Sequence, residues 1–103
     1  RWLCILNYFT RMRSVDKNGA LNLKYSSSLD NIPNGFQPWF QSTHKKFKPE
    51  HKLLFGHWAA IKGSTKKDNI IGLDTGCVFG NKLTCYCIEK DKKYSVNATK
   101  NYN

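Results

Sequence analysis

The chain is short of acid and short of arginine. Its 103 residues hold 7 Asp and Glu against 17 Lys and Arg, a formal net charge of +10, and only three of the bases are Arg. No run approaches the roughly 20 apolar residues that a membrane-spanning helix needs, so no such span is expected. A Gly-rich phosphate loop, an H-E-x-x-H helix and a G-x-S-x-G elbow are all missing, which removes the commonest one-motif routes to an enzyme class. Two separated C-x-x-C pairs are missing too, which excludes a zinc ribbon. There is a single Met, Met12, and the first residue is Arg1, so the start reads as a cut. The apolar stretch from Trp2 to Phe9 runs straight into Thr10-Arg11-Met12-Arg13 without the small residues of a cleavage site, so it does not read as a signal peptide.

What is present describes a folded piece. With 40% hydrophobic and 14% aromatic residues the chain is too apolar for a typical disordered tail, and its length suits one small domain. The positive charge invites a nucleic-acid partner. Against that, Lys, Asn and Ile share A/T-rich codons, so base composition alone can raise the lysine count, and the pairs Lys45-Lys46, Lys66-Lys67 and Lys92-Lys93 read first as solvated lysines. The four cysteines, Cys4, Cys77, Cys85 and Cys87, do not form a secreted framework. Reduced thiols in a cytoplasmic protein are expected, with Cys85 and Cys87 on one face of a strand.

Apolar residues Trp2, Leu3, Ile5, Leu6, Phe9 and Met12 recur at spacings of three and four, which predicts a helix. Asp16-Lys17-Asn18-Gly19 is a turn signal, and the alternation from Ala20 to Tyr25 predicts a short strand or extended segment. Ser26 to Gln37 reads as a long polar loop that delivers Trp39 and Phe40. Beyond His44, strands are predicted at Lys52 to Phe55, Asn69 to Leu73, Lys82 to Glu89 and Lys93 to Val96, paired antiparallel, with a frayed tail from Asn97. The fold class is α+β: one N-terminal helix and a mostly antiparallel set of strands.

His57, after Gly56 at the end of an apolar strand, can project a metal-binding imidazole from a sheet rim, although spacing alone more readily gives a packing residue. Asp74 ends the next strand in the same manner, so the two can share one edge; its bland role is a carboxylate bonded to the backbone of Thr75 or Gly76. Arg11 and Arg13 offer planar forks for phosphate oxygens. On a helix, residues two apart face different ways, so a joint grip needs the segment extended or the helix ended.

Four segments acquire meaning together. Phe9-Thr10-Arg11-Met12-Arg13, Pro38-Trp39-Phe40, Phe55-Gly56-His57-Trp58-Ala59, and Leu73-Asp74-Thr75-Gly76-Cys77-Val78-Phe79-Gly80 followed by Leu83-Thr84-Cys85 resemble, in order and spacing, the C-terminal part of the bacterial symmetrical diadenosine tetraphosphatases. These are calcineurin-like metallophosphoesterases. The resemblance runs from the first residue to about Val96. It implies a hydrolase that splits diadenosine tetraphosphate into two ADP, using two divalent metals, manganese or similar, to activate water. It implies an α/β sandwich fold and a cytoplasmic, metal-dependent enzyme. His57 takes the role of a metal ligand by position. Arg11 or Arg13 as a polyphosphate clamp, and Trp39 or Phe40 as an adenine-stacking face, follow from their chemistry.

The resemblance also exposes what is not here. The Gly-Asp-x-His-Gly, Gly-Asp with Arg-Gly, Gly-Asn-His-Asp and His-Ala-Gly motifs that supply the other metal ligands of that superfamily are absent. Residues 1–103 are therefore expected to be the C-terminal portion of a single metallophosphoesterase domain whose N-terminal part lies elsewhere. No residue of this chain is assigned a catalytic role of its own. The fragment is expected to be inactive alone and to expose faces meant for the missing part. The alternative function is a basic nucleic-acid-binding module; the enzyme reading instead expects a small dinucleoside polyphosphate, no nucleic acid and no membrane, and leaves oligomeric state open.

Overall fold

The computed structural model describes residues 1–42 and 44–103. They form two compact units, Arg1–His51 and Lys52–Asn103.

The first unit opens with α1, Trp2–Arg11, as the spacing of apolar residues predicts. Arg1 provides no side-chain cap, and none of the helix's residues is buried. Trp2, Leu3, Leu6 and Phe9 all face solvent. The helix is tied down by the Tyr8 hydroxyl, which donates to the Gly19 carbonyl at 2.7 Å. It stops at Met12, whose backbone is extended. The chain then enters β1, Ser14–Asp16, which pairs antiparallel with β2, Phe36–Pro38. Neither strand was expected. The predicted strand from Ala20 contributes only a bridge from Leu21 to Val15, because the Asp16 carboxylate caps the intervening turn through the amides of Asn18 and Ala20. The supposed loop from Ser26 ends as β2, and its start is pinned by buried Tyr25, whose hydroxyl donates to the Ser28 carbonyl. Val15, Tyr25, Trp39 and Phe40 make the core of this unit.

The second unit holds β3 (Leu53–Phe55), β4 (Ile70–Gly72), β5 (Lys82–Cys87) and β6 (Lys92–Asn97). All four lie where the sequence predicts strands. β5 and β6 form an antiparallel hairpin, with Lys82 opposite Asn97 and Cys87 opposite Lys92. β3 and β4 are parallel, which corrects the expected antiparallel pairing. The reason is the long stretch between them, which contains a 3-10 turn at Ala59–Ile61 and has the length a crossover requires. Trp58, Ile61, Ile70 and Ile71 form the core. Gly63 and Gly72 touch backbone to backbone: a Cβ on Gly63 would sit 2.8 Å from the Gly72 carbonyl oxygen. The tail is not frayed throughout, since the Ala98 amide donates to Asn81 and the Tyr102 amide to Val78. Among the described residues, no helix is long and apolar enough to cross a membrane.

Candidate functional site

Arg11, Arg13, Trp39 and Phe40 belong to the first unit, and His57 to the second. The end of α1 decides how the two arginines are presented. Arg11 is its last residue, and Met12 is already extended with φ −67° and ψ 120°. The condition for the two guanidinium groups to work together, that the helix has ended between them, is therefore met. Arg11 is exposed and Arg13 half-buried. The pairing of β1 with β2 then brings the Pro-Trp-Phe segment alongside: the Trp39 amide donates to the Arg13 carbonyl at 3.0 Å, and Ser14 lies opposite Pro38. Three of the four residues expected on this side are thus gathered around one end of a strand pair.

The aromatic residues are placed differently from the expectation. Phe40 is 1% exposed and Trp39 9% exposed, and their rings meet edge to face at 5.6 Å. Rings so covered offer no open face to an adenine in this arrangement. They fill the core beneath the arginine segment, the role a Trp-Phe pair takes when apolar burial dominates.

In the second unit the parallel pairing matters directly. The Leu73 amide donates to the Phe55 carbonyl at 2.9 Å, continuing the register beyond Phe55 and Gly72. His57 and Asp74 each follow their strand by two residues, so both emerge at the carboxyl end of the β3/β4 pair. That is the edge at which parallel sheets commonly place their ligands. An antiparallel pair would have set them at opposite edges. Asp74 uses Oδ1 to accept from the Gly76 amide at 3.1 Å, as its bland role requires.

His57 is exposed and has φ +63°, in the left-handed region where a non-glycine residue is uncommon. Gly56 precedes it and Trp58, 2% exposed, follows it. The chain thus turns sharply at a histidine and is anchored at once by a buried indole. Strained backbone held by well-packed neighbours gathers at functional sites.

Among the described residues, no three His, Cys, Asp or Glu side chains come together to hold a metal ion. The residues present therefore do not fit a metal centre by themselves. Sequence reasoning also passed over Lys62 and Lys82, which line a cleft in the second unit; nothing in their spacing separates them from the other lysines.

The sequence has extensive kinship. Over 84 residues, 82% of the chain, it is 48% identical to a symmetrical bis(5'-nucleosyl)-tetraphosphatase of Azotobacter vinelandii, covering 30% of that protein. Over 97 residues, 93% of the chain, it is 40% identical to the protein of the same name from Pseudomonas entomophila, covering 33% of it. The Marinomonas counterpart is 41% identical over 95 residues and 34% covered. The chain is a relative of the symmetrical bis(5'-nucleosyl)-tetraphosphatases. It spans about a third of the length of the curated relatives it matches. No protein-family model matches it. The kinship bears out the resemblance carried by the four motifs.

Proposed function

We propose that the chain is the C-terminal portion of an enzyme that hydrolyses bis(5'-nucleosyl) tetraphosphates, diadenosine tetraphosphate among them, at the centre of the phosphate chain. The observation that carries this reading is identity of 40–48% to proteins of that one name across most of the chain. In the reaction, water oxygen bonds to one of the two inner phosphorus atoms, the central P–O–P link breaks on that side, and two nucleoside diphosphates leave. His57 is proposed as one metal ligand of the complete enzyme, with manganese or a similar ion at two sites whose other ligands come from the rest of the polypeptide. Arg11 and Arg13 are proposed as the clamp on the substrate's phosphates. Trp39 and Phe40 enter as the packed support of that clamp and not as a stacking face, because of their burial.

Both units are taken as parts of one metallophosphoesterase domain. The uncovered apolar side of α1, with Trp2 78% and Phe9 87% exposed, suits a piece that packs against further chain. A cytoplasmic setting, where thiols stay reduced, completes the proposal. Its test is His57→Ala in the full-length protein. Turnover of diadenosine tetraphosphate should fall by about a hundredfold or more, with loss of one bound metal. Unchanged metal content and turnover would refute the role of His57.

A further inference from the structure

The second unit carries a cleft of about 380 Å³ lined by Lys62, Thr75, Gly80, Asn81, Lys82 and Asn97. The volume falls within the range of small-molecule sites, about 300–1,000 Å³. Its lining has two ammonium groups, a hydroxyl and two carboxamides, and no carboxylate. Such a surface favours an anion rich in acceptor oxygens.

The walls are held by backbone, so the groups converge on a defined space. Lys82 and Asn97 are opposite each other at the open end of the hairpin. Further along the same face of the hairpin, Thr84 bonds Thr75 at 2.7 Å and Ser95 at 2.8 Å, and Lys93 donates to the Gly63 carbonyl at 3.3 Å. These contacts bring the hairpin face against the turn that bears Lys62. Asn81 is fixed from both sides: its amide donates to the Gly76 carbonyl at 3.1 Å, and its carbonyl accepts from Ala98 at 2.7 Å.

Lys62 supplies the second observation. It ends the 3-10 turn with φ +50°, a left-handed conformation in which glycine would be under less strain. The residue there is a lysine, although the next residue is itself Gly63. The geometry points to a binding site for a condensed phosphate chain, free or as the tail of a nucleotide, gripped by Lys62 and Lys82 with hydrogen bonds from the side-chain amides of Asn81 and Asn97, while the Thr75 hydroxyl donates to the Lys82 carbonyl at 2.6 Å and holds that segment in place. A single phosphate would leave most of the volume to water, whereas two cations on separate segments match charge spread along a chain. The cleft is open to solvent along most of its lining, and its volume, not its enclosure, matches a small molecule. The inference does not depend on the role of His57.

The test is a titration of the full-length protein, free of divalent metal, followed by NMR at the side-chain amides of Asn81 and Asn97. Inorganic tripolyphosphate and ADP are added separately at fixed salt. Both resonances should shift and saturate, and tighter binding of ADP or of tripolyphosphate identifies the nucleotide or the free chain as the source. Lys82→Gln and Lys62→Gly should each weaken the titrated ligand by about tenfold, the size expected for one charge-assisted contact. Because Lys62→Gly relieves the left-handed turn, its melting temperature should hold or rise while affinity falls, which separates binding from folding. Lys45→Gln with Lys46→Gln is the control for net charge. Absent shifts, equal weakening in the control, or random single-stranded DNA binding these residues more tightly than tripolyphosphate would each overturn the site. Intact titration in a His57→Ala protein that no longer hydrolyses its substrate keeps this inference separate from the hydrolase reading.

Discussion

At the scale of single residues, neighbouring side chains meet opposite fates. His57 occupies a left-handed turn at a strand end and is exposed, while the Trp beside it is buried. The sequence made His57 visible through Gly56 and the apolar run before it, but its φ was not legible, since no residue preference announces a left-handed histidine. Trp39 and Phe40 show the opposite difficulty. A Trp-Phe pair arriving from a polar loop reads equally as a ligand platform or as a staple, and only burial decides. Phe40→Ala should therefore cost about 3–5 kcal/mol of stability, measured by denaturant unfolding, as expected for emptying a packed aromatic site. A change below about 1 kcal/mol would return Phe40 to the surface and to a stacking role.

At the scale of elements, strand positions in the second unit were legible because short apolar runs end at Gly-containing turns. Their direction was not. Hydrophobic alternation is the same in parallel and antiparallel strands; the signal that separates them is the length of the connection, and residues 56–69 are long enough to cross over. The contact that permits the crossover is Gly63 against Gly72. Gly63→Ala combines a left-handed φ of +75° with a Cβ pressed against the Gly72 carbonyl, so it should destabilise the unit by about 2 kcal/mol or more in chemical denaturation. A neutral result would show that the two strands do not approach so closely. β1 and β2 escaped prediction for a different reason: three residues each, one strand containing a proline, they leave no periodic pattern to read.

The hairpin brings its own pH dependence. The Lys52 ammonium forms an ion pair with Asp91, and the Tyr86 hydroxyl also donates to that carboxylate. Hydrogen bonding to Lys52, then to Tyr86, holds the Asp91 carboxyl below its ordinary value. Hydrogen bonding to Asp91, then to Tyr86, raises Lys52 above its own. For a depressed carboxyl the stabilisation is complete above the ordinary aspartate value and is lost as pH falls through the lower folded one. For the raised lysine it is complete below the ordinary lysine value and is lost as pH climbs through the higher one. The ion pair is exposed, so its contribution is small and salt-sensitive. Asp91→Asn should flatten the acid limb of the stability curve and change stability only slightly elsewhere, as expected for a solvent-screened pair. An unchanged acid limb would remove the ion pair from the account.

At the scale of the whole molecule, the charge and the length mean less than they first suggest. A net charge of +10 gives no partner by itself, yet within it two arginines flank a helix end and two lysines face one cleft. A length of 103 residues fits one domain, yet the relatives are about three times longer and α1 leaves its apolar side uncovered. Kinship was legible in the sequence because four motifs keep their order. A metal centre was not, because among the described residues no three His, Cys, Asp or Glu side chains come together. The most direct measurement is the product distribution from diadenosine tetraphosphate, compared between the full-length protein, its His57→Ala variant and residues 1–103 alone. The account predicts ADP as the sole nucleotide product of the full-length protein, a drop of about a hundredfold or more with His57→Ala, and no turnover by residues 1–103. AMP with ATP as products, or hydrolysis sustained by residues 1–103 alone, would contradict it.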